Sequence, residues 1–509
     1  MAASLKGMTG FFRGHQHTLS THCSAPVAPL HAEATPVTAP KVTLSPLVEN
    51  MAVSKTIEIH SLTKDMERQG KVVYSLCVGE PDYQPPQQVI AATAAAATLG
   101  LTKYTAVTGE TALREAIARD LSTRKNTPYS AEQIVVSNGA KQAVLQALLA
   151  VVCPGDSVLV PSPYWPSYPD MVKMCQALPV DVETSARDGY ALTGPALRRA
   201  LASNPKTSAI ILCNPSNPTG CVMSEKQLRE VADILLDYPR VTIISDEIYE
   251  RLTYDTPHVS FASLPGMLHR TITINGFSKS HSMTGYRIGY AAAPLYIAKA
   301  CGKLQSQMTS CASSIAQHAA LAALNEVDDG WMAARRGELQ AKRDLAHRLV
   351  QALPHTQCGL PSGAFYLLFD VSYFFGSVTA DGRAVRDSHD LCLELLRCEQ
   401  VALGSGPSLR LTCTHPFLFL FLFCAILLSC IAHITLTLSC IAHIYECFPT
   451  FFAGRAHKQT NKNKPNKNIV SGDAFGAPKC IRLSYAASEA LIEETIGRLG
   501  RFLASLKKA

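Results

Sequence analysis

Between residues 134 and 325, short apolar runs alternate with longer segments whose apolar positions recur every three or four residues. The runs at 134–136, 157–160, 209–213, 241–244 and 271–274 are rich in Val and Ile and end in polar loops, which predicts buried strands. The segments at 142–152, 225–236 and 312–325 carry helical spacing and much alanine. Strands that are apolar along their whole length, alternating with helices, predict an α/β fold on a mostly parallel sheet. Ligands of such a sheet collect at the carboxyl ends of its strands.

Two segments break the pattern. Residues 1–50 carry Lys6, Arg13 and Lys41 against Glu33 and Glu49, no acid before Glu33, and many Ser, Thr, Ala, His and Pro. No continuous apolar core of roughly 7–15 residues follows the basic start, so the segment reads as an organelle transit peptide and not as a secretory signal. The second segment is 404–470. From 411 to 445 it has no Asp, Glu, Lys or Arg, contains Pro416-Phe-Leu-Phe-Leu-Phe-Leu-Phe423, and repeats Leu-Ser-Cys-Ile-Ala-His-Ile at 428–434 and 438–444. A Lys- and Asn-rich stretch follows, up to Lys467. By length and hydropathy the apolar half could cross a bilayer; its low complexity equally fits translated intron.

Composition changes meaning once these segments are set apart. The chain has 509 residues, 47 Lys+Arg against 40 Asp+Glu, a net charge of +7, and 47% hydrophobic residues. Most of the positive excess lies in Arg410, Arg455, Lys458, Lys462, Lys464 and Lys467, set against Glu446 alone. The remaining body is nearly neutral, which gives no support to a nucleic-acid surface. The 17 cysteines show no CxxC or other metal spacing, and neither HExxH nor GxxxxGK[ST] occurs. Ordinary buried thiols in a reducing compartment account for them.

Four strand-exit loops carry candidate chemistry. Val136-Ser-Asn-Gly-Ala-Lys-Gln-Ala143 runs from a strand through Gly139 into a helix, an arrangement that suits a phosphate. Asn214-Pro-Ser-Asn-Pro-Thr-Gly220 is a doubly proline-constrained loop able to aim an amide. Ile244-Ser-Asp-Glu-Ile-Tyr249 delivers Asp246 and Glu247 at a strand end, either to cap the next segment or to pair with a cation, for which a protonated ring nitrogen qualifies. Asn275-Gly-Phe-Ser-Lys279 places one lysine among small residues, with Arg287 eight positions on. Alone, each has a bland structural account. Together, a phosphate cradle, an Asp, a Lys and a Tyr are the parts that pyridoxal phosphate needs: the amine holds its aldehyde and the carboxylate keeps its ring nitrogen protonated.

These motifs, with Gly79-Glu-Pro-Asp82, Lys103-Tyr-Thr105, Ser162-Pro-Tyr-Trp165, Pro361-Ser-Gly-Ala-Phe-Tyr366 and Ile481-Arg-Leu-Ser-Tyr485, stand in one order from about Glu58 to the C-terminus. In this the chain resembles the fold-type I aminotransferases of subgroup Ib, most closely the plastid aspartate/prephenate aminotransferases of plants and algae. The resemblance implies a large pyridoxal-phosphate domain over 85–325 and a smaller α/β domain from 51–84, 326–403 and 471–509. By position it implies that Lys279 bonds the cofactor aldehyde, Asp246 pairs with its ring nitrogen, Asn217 and Tyr249 reach its ring oxygen, and Trp165 stacks on the ring. Gly139, Ala140, Ser278 and Arg287 are expected around the phosphate, with Tyr104 supplied by the other subunit of a homodimer. Gly79, Trp165, Asn217 and Arg482 are expected at the substrate, Arg482 in a two-pronged grip on its α-carboxylate. Lys141 matches the position that meets a distal carboxylate. Position 276, where some relatives outside the subgroup have serine, is glycine.

The implied reaction is ping-pong amino transfer between aspartate or glutamate and an oxo acid, prephenate among them, in a plastid or alternatively a mitochondrion. Rivals on the same scaffold are an aromatic- or alanine-type transaminase and a pyridoxal lyase; from another class, an inactive membrane-anchored binding module. In the family, the pieces flanking 404–470 are continuous as a strand ending VALVPGDAFG. The segment therefore interrupts the approach to Arg482, which favours the intron reading and makes a membrane contact dependent on the insert being real.

Overall fold

The computed structural model describes residues 43–49, 51, 55–405 and 475–508. The chain divides into two units, 1–49 and 50–509. In the first, the described part is 43–49, with the one-turn exposed helix Pro46–Glu49. The rest of the expected transit peptide, and residues 406–474 of the region around the expected insert, lie outside the described residues.

The second unit is built on a seven-stranded sheet: β1 Ile134–Ser137, β2 Ser157–Ser162, β3 Leu178–Glu183, β4 Thr207–Cys213, β5 Thr242–Asp246, β6 Thr271–Gly276 and β7 Gly289–Ala292. Their order is β1-β7-β6-β5-β4-β2-β3. All neighbours run parallel except β7, which is antiparallel to both β1 and β6. The fold is the α/β architecture of fold-type I. The five anticipated strands are present, and the three anticipated helices are Ala140–Val151, Glu225–Leu236 and Ser314–Asn325. Two strands escaped the hydrophobic pattern for physical reasons. β3 is a sheet edge that alternates Leu, Val and Val with polar residues and contains Pro179, which an edge tolerates. β7 is Gly-Tyr-Ala-Ala, whose small residues carry little strand propensity although all four are buried.

Local chemistry sets where these elements begin. Ser224 accepts from the Gln227 amide and the Gln227 side chain returns to the Ser224 amide, so a capping box starts the helix Glu225–Leu236. That helix buries Leu228, Val231, Ala232, Ile234 and Leu235 against the sheet. Each such Leu or Val contributes about 1.5–3 kcal/mol.

A second, four-stranded sheet orders Gly404–Ser405, Cys480–Ser484, Tyr366–Asp370 and Gln357–Cys358, all antiparallel. The helices Asp329–Gln351, Ser388–Glu399 and Glu489–Ser505 contribute to its core through residues such as Leu339, Leu391, Leu395, Ile492, Ile496 and Leu499. Arg482 is the register partner of Leu368 on one side and Gly404 on the other, so it sits on an interior strand. Gly404 and Ser405, the first residues of the expected insert, are buried strand residues and not part of an excursion. A Cβ placed on Gly404 would lie 3.4 Å from the Phe475 ring, so the described ends on either side of 406–474 adjoin. No helix among the described residues is long and apolar enough to cross a membrane.

Candidate active site

The carboxyl ends of β1, β4, β5 and β6 bring the four loops together. At the end of β1, Gly139 has φ +84° and is the N-cap of the helix Ala140–Val151, with no side chain capping the first amides. Such a helix start presents free N–H groups and the positive end of its dipole. A Cβ on Gly139 would come 2.3 Å from Arg287 Nη2, so only glycine lets the guanidinium lie this close. Arg287 donates from Nη1 to the Thr284 carbonyl at 2.8 Å and from Nη2 to the Asn138 carbonyl at 3.4 Å, and remains exposed. An uncapped helix start beside an exposed guanidinium suits an anion in charge and donors.

Two neighbouring carboxylates at the end of β5 meet opposite fates. Glu247 is fully buried against Lys125 (3.0 Å) and His258 (3.2 Å), and accepts from the Ser245 and Ser260 hydroxyls. Burial alone would raise it, yet Lys125 and His258 hold it down at about 2. Asp246 is equally buried but has no cation in bonding range; Tyr168 donates to Oδ2 at 2.6 Å and the Ile248 amide to Oδ1 at 3.2 Å. Burial pushes it up to about 6, against those two donors. The sequence left both roles open for this pair; Glu247 is the structural anchor, and Asp246 is the carboxylate that lacks a cation.

At the end of β6, Lys279 donates to the Gly79 carbonyl at 2.6 Å. Burial pushes its amine down to about 8, opposed by Glu80 and aided by Arg482 and Arg287. Gly79 is forced to be glycine by contact: a Cβ there would fall 2.0 Å from the Tyr366 hydroxyl. That hydroxyl is 2.8 Å from the hydroxyl of Tyr249. Ser278 is buried beside Lys279, and Ala140 is the first residue of the phosphate-type helix.

Arg482 is buried, donates from Nη1 to Asn217 Oδ1 at 2.9 Å and from Nη2 to the Cys77 carbonyl at 2.7 Å, and its Nε has no partner. The Tyr366 ring lies 4.5 Å and the Phe475 ring 4.8 Å from the guanidinium. Lys141 sits with its ammonium 5.0 Å over the Trp165 ring, and burial lowers its pKa. Lys279, Gly79, Arg482, Asn217, Tyr249 and Tyr366 are thus joined in one contact network, with Gly139, Arg287, Lys141 and Trp165 around it. Tyr104 is 88% exposed and not drawn into that network.

Three participants went unnoticed in the sequence. Tyr168 follows Trp165 by one helical turn and resembles any amphipathic aromatic. The Cys77 contribution is a backbone carbonyl, which no side-chain pattern reveals. Phe475 lies in the Asp-Ala-Phe-Gly segment after the insert, where no local pattern marks it as a site residue.

The family model for aminotransferase class I and II matches residues 71–416. The chain is 37% identical over 470 residues to the bifunctional aspartate aminotransferase and glutamate/aspartate-prephenate aminotransferase of Petunia hybrida, covering 92% of this chain and 84% of that one. It is 38% identical to the aspartate aminotransferase of Rhizobium meliloti strain 1021, covering 72% of this chain and 89% of the other. Among solved structures, an aspartate aminotransferase from Rhizobium meliloti superposes with a TM-score of 0.75 at 32% identity, covering 92% of this chain and 100% of its own. That of Thermus thermophilus with maleate gives 0.72 at 30%, covering 91% and 100%.

Proposed function

The chain belongs to the class I and II aminotransferases, and from that premise we propose that it moves the amino group of aspartate or glutamate onto oxo acids including prephenate, through Lys279, Asp246 and Arg482. It is a transaminase, and its cofactor is pyridoxal 5′-phosphate. The observation that carries the residue assignment is the buried Asp246 carboxylate without a cation, in one site with a buried amine and an uncapped helix start. A protonated pyridine nitrogen, an aldehyde and a phosphate match these three in charge and chemistry.

When bound, pyridoxal phosphate supplies an aldehyde that captures the amino group and a ring that withdraws electrons from the substrate α-carbon. The chain's residues do the rest. The amides of the helix Ala140–Val151 and Arg287 bind the phosphate. Asp246 holds a proton on the ring nitrogen, and Asn217 and Tyr249 face the ring oxygen. Lys279 Nζ would hold the proton that leaves the substrate α-carbon and deliver it where the amino group is retained, a task suited to an amine held near 8. Arg482 grips the α-carboxylate. Lys141 meets a distal carboxylate, so dicarboxylic acids are preferred; the Thermus relative was solved with the dicarboxylate maleate. Tyr104 is exposed near the exposed Leu99 and Leu101, which supports the reading that it completes the phosphate site of a second subunit in a homodimer.

Removing residues 406–471 joins Ser405 to Gly472 and recreates the short Gly-Ser-Gly-Asp-Ala-Phe path. Three residues then bridge ends that already adjoin, well within the roughly 3.4 Å per residue that chain can reach. A chain lacking 1–50 and 406–471 is expected to be a dimer by light scattering. It should transfer amino groups from aspartate to 2-oxoglutarate and to prephenate. Turnover confined to aromatic donors or alanine, or only lyase products, overturns the substrate assignment. The composition of residues 1–50 and the plant relative support a plastid address. A fluorescent protein carrying residues 1–50 is expected in chloroplasts, and an exclusively mitochondrial signal refutes that address.

A further inference from the structure

We propose that Tyr168 is a positioning residue of the reaction: its hydroxyl, donated to Asp246, keeps that carboxylate ionised and aimed at the cofactor's ring nitrogen. The inference rests on the assignment of Asp246 to that nitrogen.

Tyr168 lies on the helix Ser167–Met174 and is buried, with its hydroxyl 2.6 Å from Asp246 Oδ2. The edge of Trp165 packs on it with ring centroids 5.3 Å apart and planes at 88°, which fixes the phenol ring. The other Asp246 oxygen takes only the neutral Ile248 amide. Among the described residues, the titratable groups that act on this pair are Cys213, Glu247 and Lys279. The Cys213 thiol, on the neighbouring strand β4 and beside both Tyr168 and Asp246, is pushed up to about 12 by burial and stays protonated, with Sγ 3.4 Å from the Pro215 carbonyl. Glu247 is committed to Lys125 and His258. Lys279 acts on Asp246 as a cation but bonds the Gly79 carbonyl. The Tyr168 phenol is itself held far above its ordinary pKa, so it remains a donor across the neutral range.

The Cys213 thiol also interacts with the Tyr168 hydroxyl, but it is neutral, so the charged Asp246 oxygen at 2.6 Å is the stronger acceptor for the Tyr168 proton. A hydrogen bond to the charged form of a carboxylate favours that form, and such charge-assisted bonds are stronger than neutral ones. Without the hydroxyl, the carboxylate keeps a single neutral donor in a buried site and binds a proton more tightly. A proton shared between Asp246 and the ring nitrogen then moves toward Asp246, and the ring loses its capacity to draw electrons. The phenol oxygen thus acts on the chemistry through Asp246 without touching substrate.

The test compares the wild type, Tyr168→Phe, and protein carrying 3-fluorotyrosine at position 168. The infrared carbonyl band of the protonated Asp246 side chain, assigned by its loss in Asp246→Asn, is followed against pH in the cofactor-free enzyme. Tyr168→Phe is expected to raise the Asp246 proton affinity tenfold or more, roughly one pH unit upward. In the loaded enzyme, kcat should fall about ten- to hundredfold with KM for aspartate within about twofold. The fluorinated phenol, a stronger donor of the same shape, should move the midpoint the other way, and it gives a reading even if the phenylalanine variant fails to fold. An unmoved midpoint in the variants that fold, or a moved midpoint with unchanged kcat, overturns the proposal. If instead Asp246→Asn retains full kcat, the ring-nitrogen assignment fails and not the link from Tyr168 to Asp246.

Discussion

Lys279→Ala is expected to abolish transamination, by at least about 10⁴-fold in kcat, while leaving the fold intact. The two halves of this expectation have separate grounds. Chemically, of the two amines that the four loops carry, Lys279 and Lys141, it is Lys279 that bonds the Gly79 carbonyl within the network, and the proposed covalent capture and proton transfer both need it. Structurally, the side chain contributes little. Its hydrogen bond is to the Gly79 carbonyl, and its burial works against its own charge, which is why the amine is pushed down to about 8. Deleting it removes a desolvated cation and leaves room for water beside a carbonyl that water can serve. Thermal unfolding should shift by only a few degrees, whereas the absorbance change that marks covalent capture of the cofactor should vanish. The same pKa gives a pH signature in the wild type. Attack on the aldehyde requires the neutral amine, whose fraction rises tenfold per pH unit below about 8 and levels off above it. The rate of cofactor capture by the cofactor-free protein should follow that curve. Residual turnover in Lys279→Ala, or capture independent of pH between 6 and 8, would remove Lys279 from the mechanism.

The contrast between Asp246 and Glu247 shows where sequence reasoning reaches its end. A buried strand that terminates in two acids announces a site, and β5 does deliver both to the sheet's carboxyl edge. Which acid is chemical and which structural depends on Lys125, from a helix far earlier in the chain, and on His258, eleven residues on. Those partners are set by packing and leave no mark in the Ser-Asp-Glu-Ile-Tyr motif. The same holds for Tyr168, whose importance lies in a hydroxyl reaching across from another element. Strands such as β4 and β5 were legible because burial on both faces demands continuous apolar residues, here Ala-Ile-Ile-Leu and Ile-Ile. The edge strand β3, wet on one side, and the small-residue strand β7 obey weaker rules and were not. At 404, the sequence alone saw a break in composition. The sheet register shows that Gly404 and Ser405 still pair with Arg482 and Ile481 before the chain departs.

Arg482→Leu is expected to lower kcat/KM for aspartate about a thousandfold, the second largest loss among single substitutions at this site. The guanidinium is buried, its two terminal nitrogens are spent on an amide oxygen and a carbonyl, its Nε is unpartnered, and two aromatic rings flank it. None of its hydrogen-bond partners is a carboxylate. A buried cation without a counter-ion is costly, of order several kcal/mol even after relaxation. On the proposed assignment, the substrate's α-carboxylate would offset that cost on binding. Truncating one member of such a buried pair costs about 2–5 kcal/mol, and a value in the upper half of that range, about 4, is the thousandfold loss. Because the free enzyme bears the unpaired charge, Arg482→Leu should not lower the unfolding temperature, which separates a binding role from a structural one. Arg482→Lys keeps the charge but loses the fork that spans Asn217 and Cys77, and should fall between, about ten- to hundredfold below wild type. Substrate choice completes the argument. Arg482→Leu should weaken aspartate and alanine alike, since both carry the α-carboxylate. Lys141→Ala should weaken aspartate and spare alanine, since only aspartate reaches the ammonium over Trp165. Steady-state kinetics on the two donors checks both. If Arg482→Leu penalises aspartate alone, Arg482 holds the distal carboxylate and the assignments of Arg482 and Lys141 must be exchanged.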